Sequence, residues 1–260
     1  MRIALAQMDI AWENKEANKK KCADFIREAA QRKCQLIIFP EMCLTGFSMN
    51  VDGIADKDSK DFDWFKGQAV KNRIAIGFGL VEKDKDGRGR NEFSLVDKRG
   101  KELFRYTKLH SFSYEKEDKF YREGEEILSA ELEGVKISPF ICYDLRFPEI
   151  FQAASKKSQL LIVIANWPKP RREHWMGLLK ARAIENQAYV AGLNRVGSGG
   201  GREYSGDSLI VDPLGNAIAQ VGEGGGLLEA EIDANFVGEV RERFRFKKDR
   251  REDLYCRILN

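Results

Sequence analysis

Histidine is the scarcest chemically versatile residue in this chain, with His110 and His174 its two copies among 260 residues. A three-histidine metal site is therefore impossible, and any Cys-His dyad must recruit one of these two. Five cysteines, Cys22, Cys34, Cys43, Cys142 and Cys256, are scattered with no Cys-x-x-Cys pair. Zinc-ligand spacing is thus missing, and an odd number of isolated thiols argues against a disulfide framework and for a reducing, cytoplasmic setting. No apolar run approaches the ~18 residues of a membrane span, and the N-terminus meets Asp9 too early for a signal-peptide core. An excess of one charge is lacking too: 44 basic residues face 41 acidic ones, a net charge of +3, so no nucleic-acid face is expected. The one basic concentration, residues 241–251, is diluted by Glu242 and Asp249 and reads as a solvated tail or a subunit contact. Glycine-rich stretches at 197–201 and 222–226 have no following helix or Lys-Ser/Thr, so they read as flexible turns and not phosphate loops. No cofactor is called for.

What the chain does have is alternation of strand and helix with no dividing linker. Residues 2–8 read as a strand with Ile3, Leu5 and Gln7 on one face, and 14–33 as a helix with Cys22, Phe25, Ile26 and Ala29 on one stripe. Residues 35–39 form a continuous apolar strand of the kind buried on both faces, ended by Pro40 with Glu41 at its tip. A helix at 60–72, a strand at 74–81 and a hairpin of 92–96 with 102–106 follow, then a long polar loop over 110–126. A second series has strands at 135–141 and 159–165, a helix starting near Pro148, a helix at 172–187 and strands at 188–194, 207–211, 217–221 and 227–232. This order predicts a layered α/β protein, two sheets face to face with helices outside each.

Cys142 is the nucleophile candidate. It ends an apolar strand just before helix-initiating residues, where a thiol is exposed and the helix dipole can favour the thiolate. His110 could serve it as a base, or could be a hydrogen-bonded loop histidine; His174, beside Trp175, reads as a partly packed helix-start residue. A carboxylate can replace histidine if desolvation raises its pKa. Glu41, flanked by Phe39 and by Met42, Cys43 and Leu44, is placed for that, and is otherwise an ordinary strand-terminal acid. Lys108, after an apolar strand, is either a fixed cation for an oxyanion or a surface lysine.

Phe39-Pro40-Glu41, Lys108 after its strand, and the run from Cys142 through Tyr143, Asp144, Leu145, Arg146, Phe147 and Pro148 to Glu149 resemble the nitrilase superfamily of carbon-nitrogen hydrolases. The resemblance extends over residues 2–232 and includes the segments 182–189 and 206–208. It implies a four-layer αββα sandwich over residues 1–240, a homodimer that the 241–260 tail could help to form, Glu41 as general base, Lys108 as oxyanion stabiliser and Cys142 as nucleophile. The backbone N–H of Tyr143 is the expected second oxyanion donor. A supporting glutamate is implied in the loop after the lysine; Glu117 takes that place, with Glu115 and Glu123 nearby. No metal, nucleic acid or membrane partner is implied, only a small amide and water.

The Cys142 run, together with residues 165–171 and His174-Trp175, resembles the bacterial ω-amidase branch, which acts on 2-oxoglutaramate and 2-oxosuccinamate. Such a substrate has a free carboxylate that needs a cation. Arg171 is the first candidate and Arg146 the second, although Arg146 could instead pair with Asp144 or Glu149. Asn166 and Trp167 are further pocket candidates, Trp167 being either an aromatic wall or core. Other carboxyl-bearing amides, carbamoyl amines, a Cys-His hydrolase and a catalytically silent module are the competing readings.

Overall fold

In the first strand, β1 (Arg2–Gln7), Ile3 and Leu5 enter one apolar cluster and Ala4 and Ala6 another, as a pleated strand buried on both faces requires. The computed structural model describes residues 1–259. From β1 the chain runs through α1 (Lys15–Gln31) to β2 (Leu36–Ile38), then through α2 (Val51–Ile54) and α3 (Lys60–Asn72) to β3 (Ala75–Lys83). Asn14 caps α1 by accepting the Ala17 N–H, and Cys22, Ile26 and Ala29 form its buried stripe. The hairpin β4 (Gly89–Val96) and β5 (Glu102–Thr107) completes this half.

A crossing segment holds α4 (Glu117–Phe120) and edge strand β6 (Ala130–Leu132), so the expected polar loop contains a short helix. The second half then runs β7 (Val135–Ile141), α5 (Pro148–Ala154), β8 (Leu160–Ala165), α6 (Arg172–Asn186) and β9 (Tyr189–Asn194). A ribbon of β10 (Val196–Gly199) and β11 (Arg202–Ser205) precedes β12 (Leu209–Val211), β13 (Ala217–Gln220), β14 (Gly226–Glu231), α7 (Ala234–Arg243) and α8 (Glu252–Leu259). The glycine stretch at 197–201 is therefore the tight end of a paired ribbon and not a free turn.

Strand order is β14-β1-β2-β3-β4-β5 in one sheet and β6-β7-β8-β9-β12-β13 in the other. In each, three parallel strands are linked by helices and flanked by antiparallel neighbours. One apolar cluster joins Ile3, Leu5, Phe93 and Leu95 of the first sheet to Ile137, Val163 and Leu193 of the second, and takes in Trp175, Leu179 and Ala183 of α6. A separate cluster seats α1 and α3 on the first sheet through Cys22, Ile26, Phe62 and Phe65. The result is a four-layer αββα sandwich, and the parallel strands of both sheets bring their C-terminal ends to one region.

The basic stretch after residue 240 is more than a solvated tail. Arg241 donates to the carbonyls of Gln187 and Ser158, and Lys247 to that of Asn186. These cations sit at the carbonyl-rich end of α6, where the helix dipole favours positive charge. Among the described residues no helix is long and apolar enough to cross a membrane.

Candidate active site

The apolar run of β7 stops at Ile141, and Cys142 takes a φ of 45°, a left-handed conformation that costs a non-glycine residue about 1 kcal/mol or more. The turn is held by fully buried Asp144, which accepts from the Tyr106 hydroxyl at 2.7 Å, the Ile141 N–H at 3.0 Å and the His110 N–H at 3.0 Å. Arg182 of α6 donates to the Leu145 carbonyl from Nε at 3.1 Å and Nη2 at 2.7 Å. These braces point the half-buried thiol into a pocket.

The helix dipole does not make Cys142 a resting thiolate. A 3-10 turn over Cys142–Arg146 separates it from α5, which starts at Pro148. Burial first, and the charge of Glu41 second, push its thiol well above the usual range; Lys108 and an Asn166 backbone hydrogen bond oppose this less strongly. These surroundings favour the neutral thiol over the thiolate.

Glu41 follows β2 and is fully buried. Its turn passes so close to β3 that a Cβ on Gly79 would lie 2.6 Å from the Pro40 oxygen, so glycine is required there. Oε1 accepts from Asn91 Nδ2 at 2.7 Å and Lys108 Nζ at 3.2 Å. Oε2 accepts the Asn166 N–H at 2.8 Å, while Asn166 Nδ2 donates to the Glu41 carbonyl at 2.6 Å.

Lys108, 3% exposed, lies between Glu41 and Glu117, with Nζ 2.8 Å from Glu117 Oε2. Burial alone would push the ammonium toward neutrality, but Glu117 and Glu41 outweigh it and its pKa is raised. Glu117 also accepts the Phe112 N–H at 2.6 Å and Asn91 Nδ2 at 3.1 Å. Burial raises its carboxyl, Lys108 opposes this, and the like charge of Glu41 adds to it. The loop returns beside Lys108 through Gly124, whose N–H reaches the Lys108 carbonyl at 2.8 Å and where a Cβ would meet the Thr107 oxygen at 2.3 Å. Of the three candidate glutamates of the loop, Glu117 is the one in this floor; Glu115 pairs with Arg202, and Glu123 accepts the Ser111 N–H at 3.1 Å.

Asn91, which the sequence reading missed, is central to the cluster. It is 1% exposed, and its side-chain amide donates to both buried glutamates while its backbone carbonyl accepts the Lys108 backbone N–H at 2.9 Å. The available signal was alternation: Asn91 shares the face of Phe93 and Leu95, which enter the core between the sheets.

Above this floor Phe47, Phe112, Tyr143, Trp167 and Tyr204 line a pocket of about 410 Å³, its open mouth included. Trp167 is both wall and core, 3% exposed, with Nε1 donating to the Arg171 carbonyl at 2.8 Å and its ring 5.5 Å from that of Trp175. The Arg146 guanidinium lies 4.8 Å from the Trp167 ring centre and that of Arg171 lies 5.3 Å from Phe112. Neither arginine has a carboxylate partner among the described residues; Asp144 is taken by Tyr106 and His110, which removes it as a partner for Arg146. His174 is exposed, contrary to expectation, with Nδ1 3.3 Å from Arg146 Nη2. His110 stands outside the pocket lining, its Nδ1 2.9 Å from Asp144 and its ring stacked on Phe147 at 3.7 Å. Among the described residues no group of His, Cys, Asp and Glu could hold a metal ion.

The sequence pattern of the carbon-nitrogen hydrolase family matches residues 2–242. The 2-oxoglutaramate amidase of Bacillus subtilis (strain 168) is 39% identical over 256 residues, covering 97% of this chain and 98% of that one. The omega-amidase YafV of Escherichia coli (strain K12) is 35% identical over 246 residues, 94% of each chain. The crystal structure of a CN-hydrolase superfamily protein from Xanthomonas campestris, 31% identical, superposes with a TM-score of 0.91 over 96% of this chain and 97% of that one. A sandwich of this wiring, with a braced thiol beside a buried Glu-Lys-Glu cluster, agrees with that pattern: the chain belongs to the carbon-nitrogen hydrolase family and is an amide-hydrolysing enzyme.

Proposed function

We propose that this enzyme hydrolyses the terminal amide of short ω-amido 2-oxo acids, 2-oxoglutaramate and 2-oxosuccinamate, to the dicarboxylate and ammonia through a cysteine thioester. One observation carries the reading: the pocket over Cys142 holds two arginines, Arg146 and Arg171, without carboxylate partners. A small amide with a free carboxylate supplies what they lack. The names of the relatives, 2-oxoglutaramate amidase and omega-amidase, support it.

In this reading the Cys142 thiol gives its proton to Glu41 as Sγ bonds to the amide carbon, and the carbonyl electrons become an oxyanion. Lys108 Nζ and the Tyr143 N–H hold that charge. Collapse re-forms the carbonyl and breaks the carbon–nitrogen bond, with the proton on Glu41 passing to the departing ammonia. Water then adds to the thioester as Glu41 takes its proton; the carbon–sulfur bond breaks and the proton returns to sulfur. Glu117 keeps Lys108 charged and in place. Asn166 orients the Glu41 carboxylate, Trp167 forms the wall, and Arg171, then Arg146, receives the substrate carboxylate.

Ammonia release should be fastest with 2-oxoglutaramate and 2-oxosuccinamate in a panel that includes glutamine and carbamoyl amines. Faster turnover of a carbamoyl amine would overturn the substrate assignment. The engagement of His110 with Asp144 favours a carboxylate base over a Cys-His pair. Glu41→Gln should abolish turnover and His110→Ala should not; the opposite result would establish the Cys-His chemistry.

The same reading places residues 1–240 as the hydrolase unit and residues 241–260 in a homodimer contact, supported by exposed Phe244 and Ile258. A truncation after Arg243 that still eluted as a dimer would count against it. Five cysteines scattered without a Cys-x-x-Cys pair support a cytoplasmic location, which cell fractionation would check.

A further inference from the structure

The pocket over Cys142 is lopsided in charge. Lys108, Arg146, Arg171 and Arg202 line it, and Glu115 is the one carboxylate that does so among the described residues. Glu115 ends the 3-10 turn Ser113–Glu115, and Arg202 is the first residue of β11. They form an ion pair, Arg202 Nη2 on Glu115 Oε2, with side chains 32% and 21% exposed. Arg202 Nη1 also donates to the Gly200 carbonyl at 3.1 Å, which ties the guanidinium to the turn of its own ribbon. The pair therefore spans the pocket from the loop after the first sheet to the ribbon of the second half.

This arrangement sorts ligands by charge. An acyl chain ending in a carboxylate meets Arg146 and Arg171, both free of acidic partners. A chain with an ammonium beside that carboxylate meets the same cations and a glutamate that is already neutralised. An ammonium taken from water among like charges, with no unpaired carboxylate in the lining to receive it, is strongly disfavoured.

We propose that the Glu115–Arg202 pair is a specificity-determining element that excludes α-ammonium substrates, so that the enzyme separates a 2-oxo acid amide from glutamine, its amino acid counterpart. The inference rests on the substrate reading above. Neither residue touches the reacting atoms; each acts through the charge it presents to the acyl chain.

The test compares kcat/KM for 2-oxoglutaramate, glutaramate and glutamine in the wild type, R202Q, E115Q and the double variant. R202Q releases the glutamate to receive an ammonium, and should raise the glutamine-to-glutaramate ratio ~10-fold or more, the factor that a gained charged hydrogen bond of about 1.4 kcal/mol supplies. E115Q removes the acceptor and should leave that ratio at or below the wild-type value. The double variant should lose the gain of R202Q. An unmoved ratio in R202Q, or a gain that persists in the double variant and so reflects a merely loosened mouth, would overturn the proposal; R202A carries the same arm if R202Q does not fold. A wild type inactive on both 2-oxoglutaramate and glutaramate would overturn the substrate reading and this inference with it, whereas activity on both with an unmoved ratio would overturn the pair alone.

Discussion

The two six-stranded sheets have the same wiring but divide the chemistry unequally. In the first, β1, β2 and β3 run parallel and are extended by antiparallel β4 and β5; in the second, β7, β8 and β9 do the same with β12 and β13. Corresponding turns carry different residues. Glu41 follows β2 and Asn166 follows β8, at matching places in the two sheets, and they hydrogen-bond to each other. The first half supplies the acid and the cation of the floor, Glu41 and Lys108, with Asn91 between them; the second supplies the thiol of Cys142 and the arginines of the wall. A repeated scaffold has thus brought two strand-end regions together and filled one with buried charge, the other with a thiol and pocket-lining cations.

If that division holds, substitutions in the two halves should differ in kind. Cys142→Ala should show no ammonia release, and the strained turn should survive because alanine adds no bulk; wild-type turnover would end the scheme. Lys108→Met should lower kcat by ~10²- to 10³-fold, the range for one lost oxyanion donor. It should also lower the melting temperature, because Glu41 and Glu117 would face each other in the interior without their cation. Arg171→Ala should raise KM by roughly 10- to 100-fold with a smaller change in kcat, as expected for a carboxylate anchor. A loss confined to kcat would move Arg171 from binding to chemistry and break the comparison.

The smallest expected effect lies next to Asn91 on the opposite face of β4. Glu92 is 3% exposed, and its nearest cation, Arg105 Nη1, is 3.8 Å away. Unlike the floor glutamates it lacks saturating donors, and burial, then the charge of Glu82, raises its carboxyl from 4.5 to about 8. Because the folded value exceeds the unfolded one, its contribution to stability is complete below pH 4.5 and is lost as pH rises to about 8. Glu92→Gln should therefore gain on the wild type in melting temperature over that window, by the equivalent of about 1–3 kcal/mol, with turnover little changed. An equal pH dependence of unfolding in both proteins would show that Glu92 is ionised in the fold.

Much of this was legible in the chain. The apolar runs that end at Pro40 and Ile141 marked where Glu41 and Cys142 emerge, and the strand before Lys108 marked the third. Apolar runs bounded by polar turns located nearly every strand of both sheets, because a strand buried on both faces is apolar along its length. The crossing segment was less legible: Glu115, Glu117 and Glu123 are equivalent by residue type, and only packing buries Glu117 against Lys108 while Glu115 turns to Arg202. The short ribbon strands were hidden by their glycines.

By itself, the sequence determined the fold class, the scarcity of histidine, and the placement of a thiol, an acid and a cation, Cys142, Glu41 and Lys108, at three strand ends. Only the tertiary structure decided that Asn91 joins the two glutamates, that Arg146 has no carboxylate partner among the described residues while Asp144 is occupied, and that burial disfavours the Cys142 thiolate. Those properties depend on desolvation and on donors and acceptors converging from positions such as 41, 91 and 166, which local pattern does not bring together.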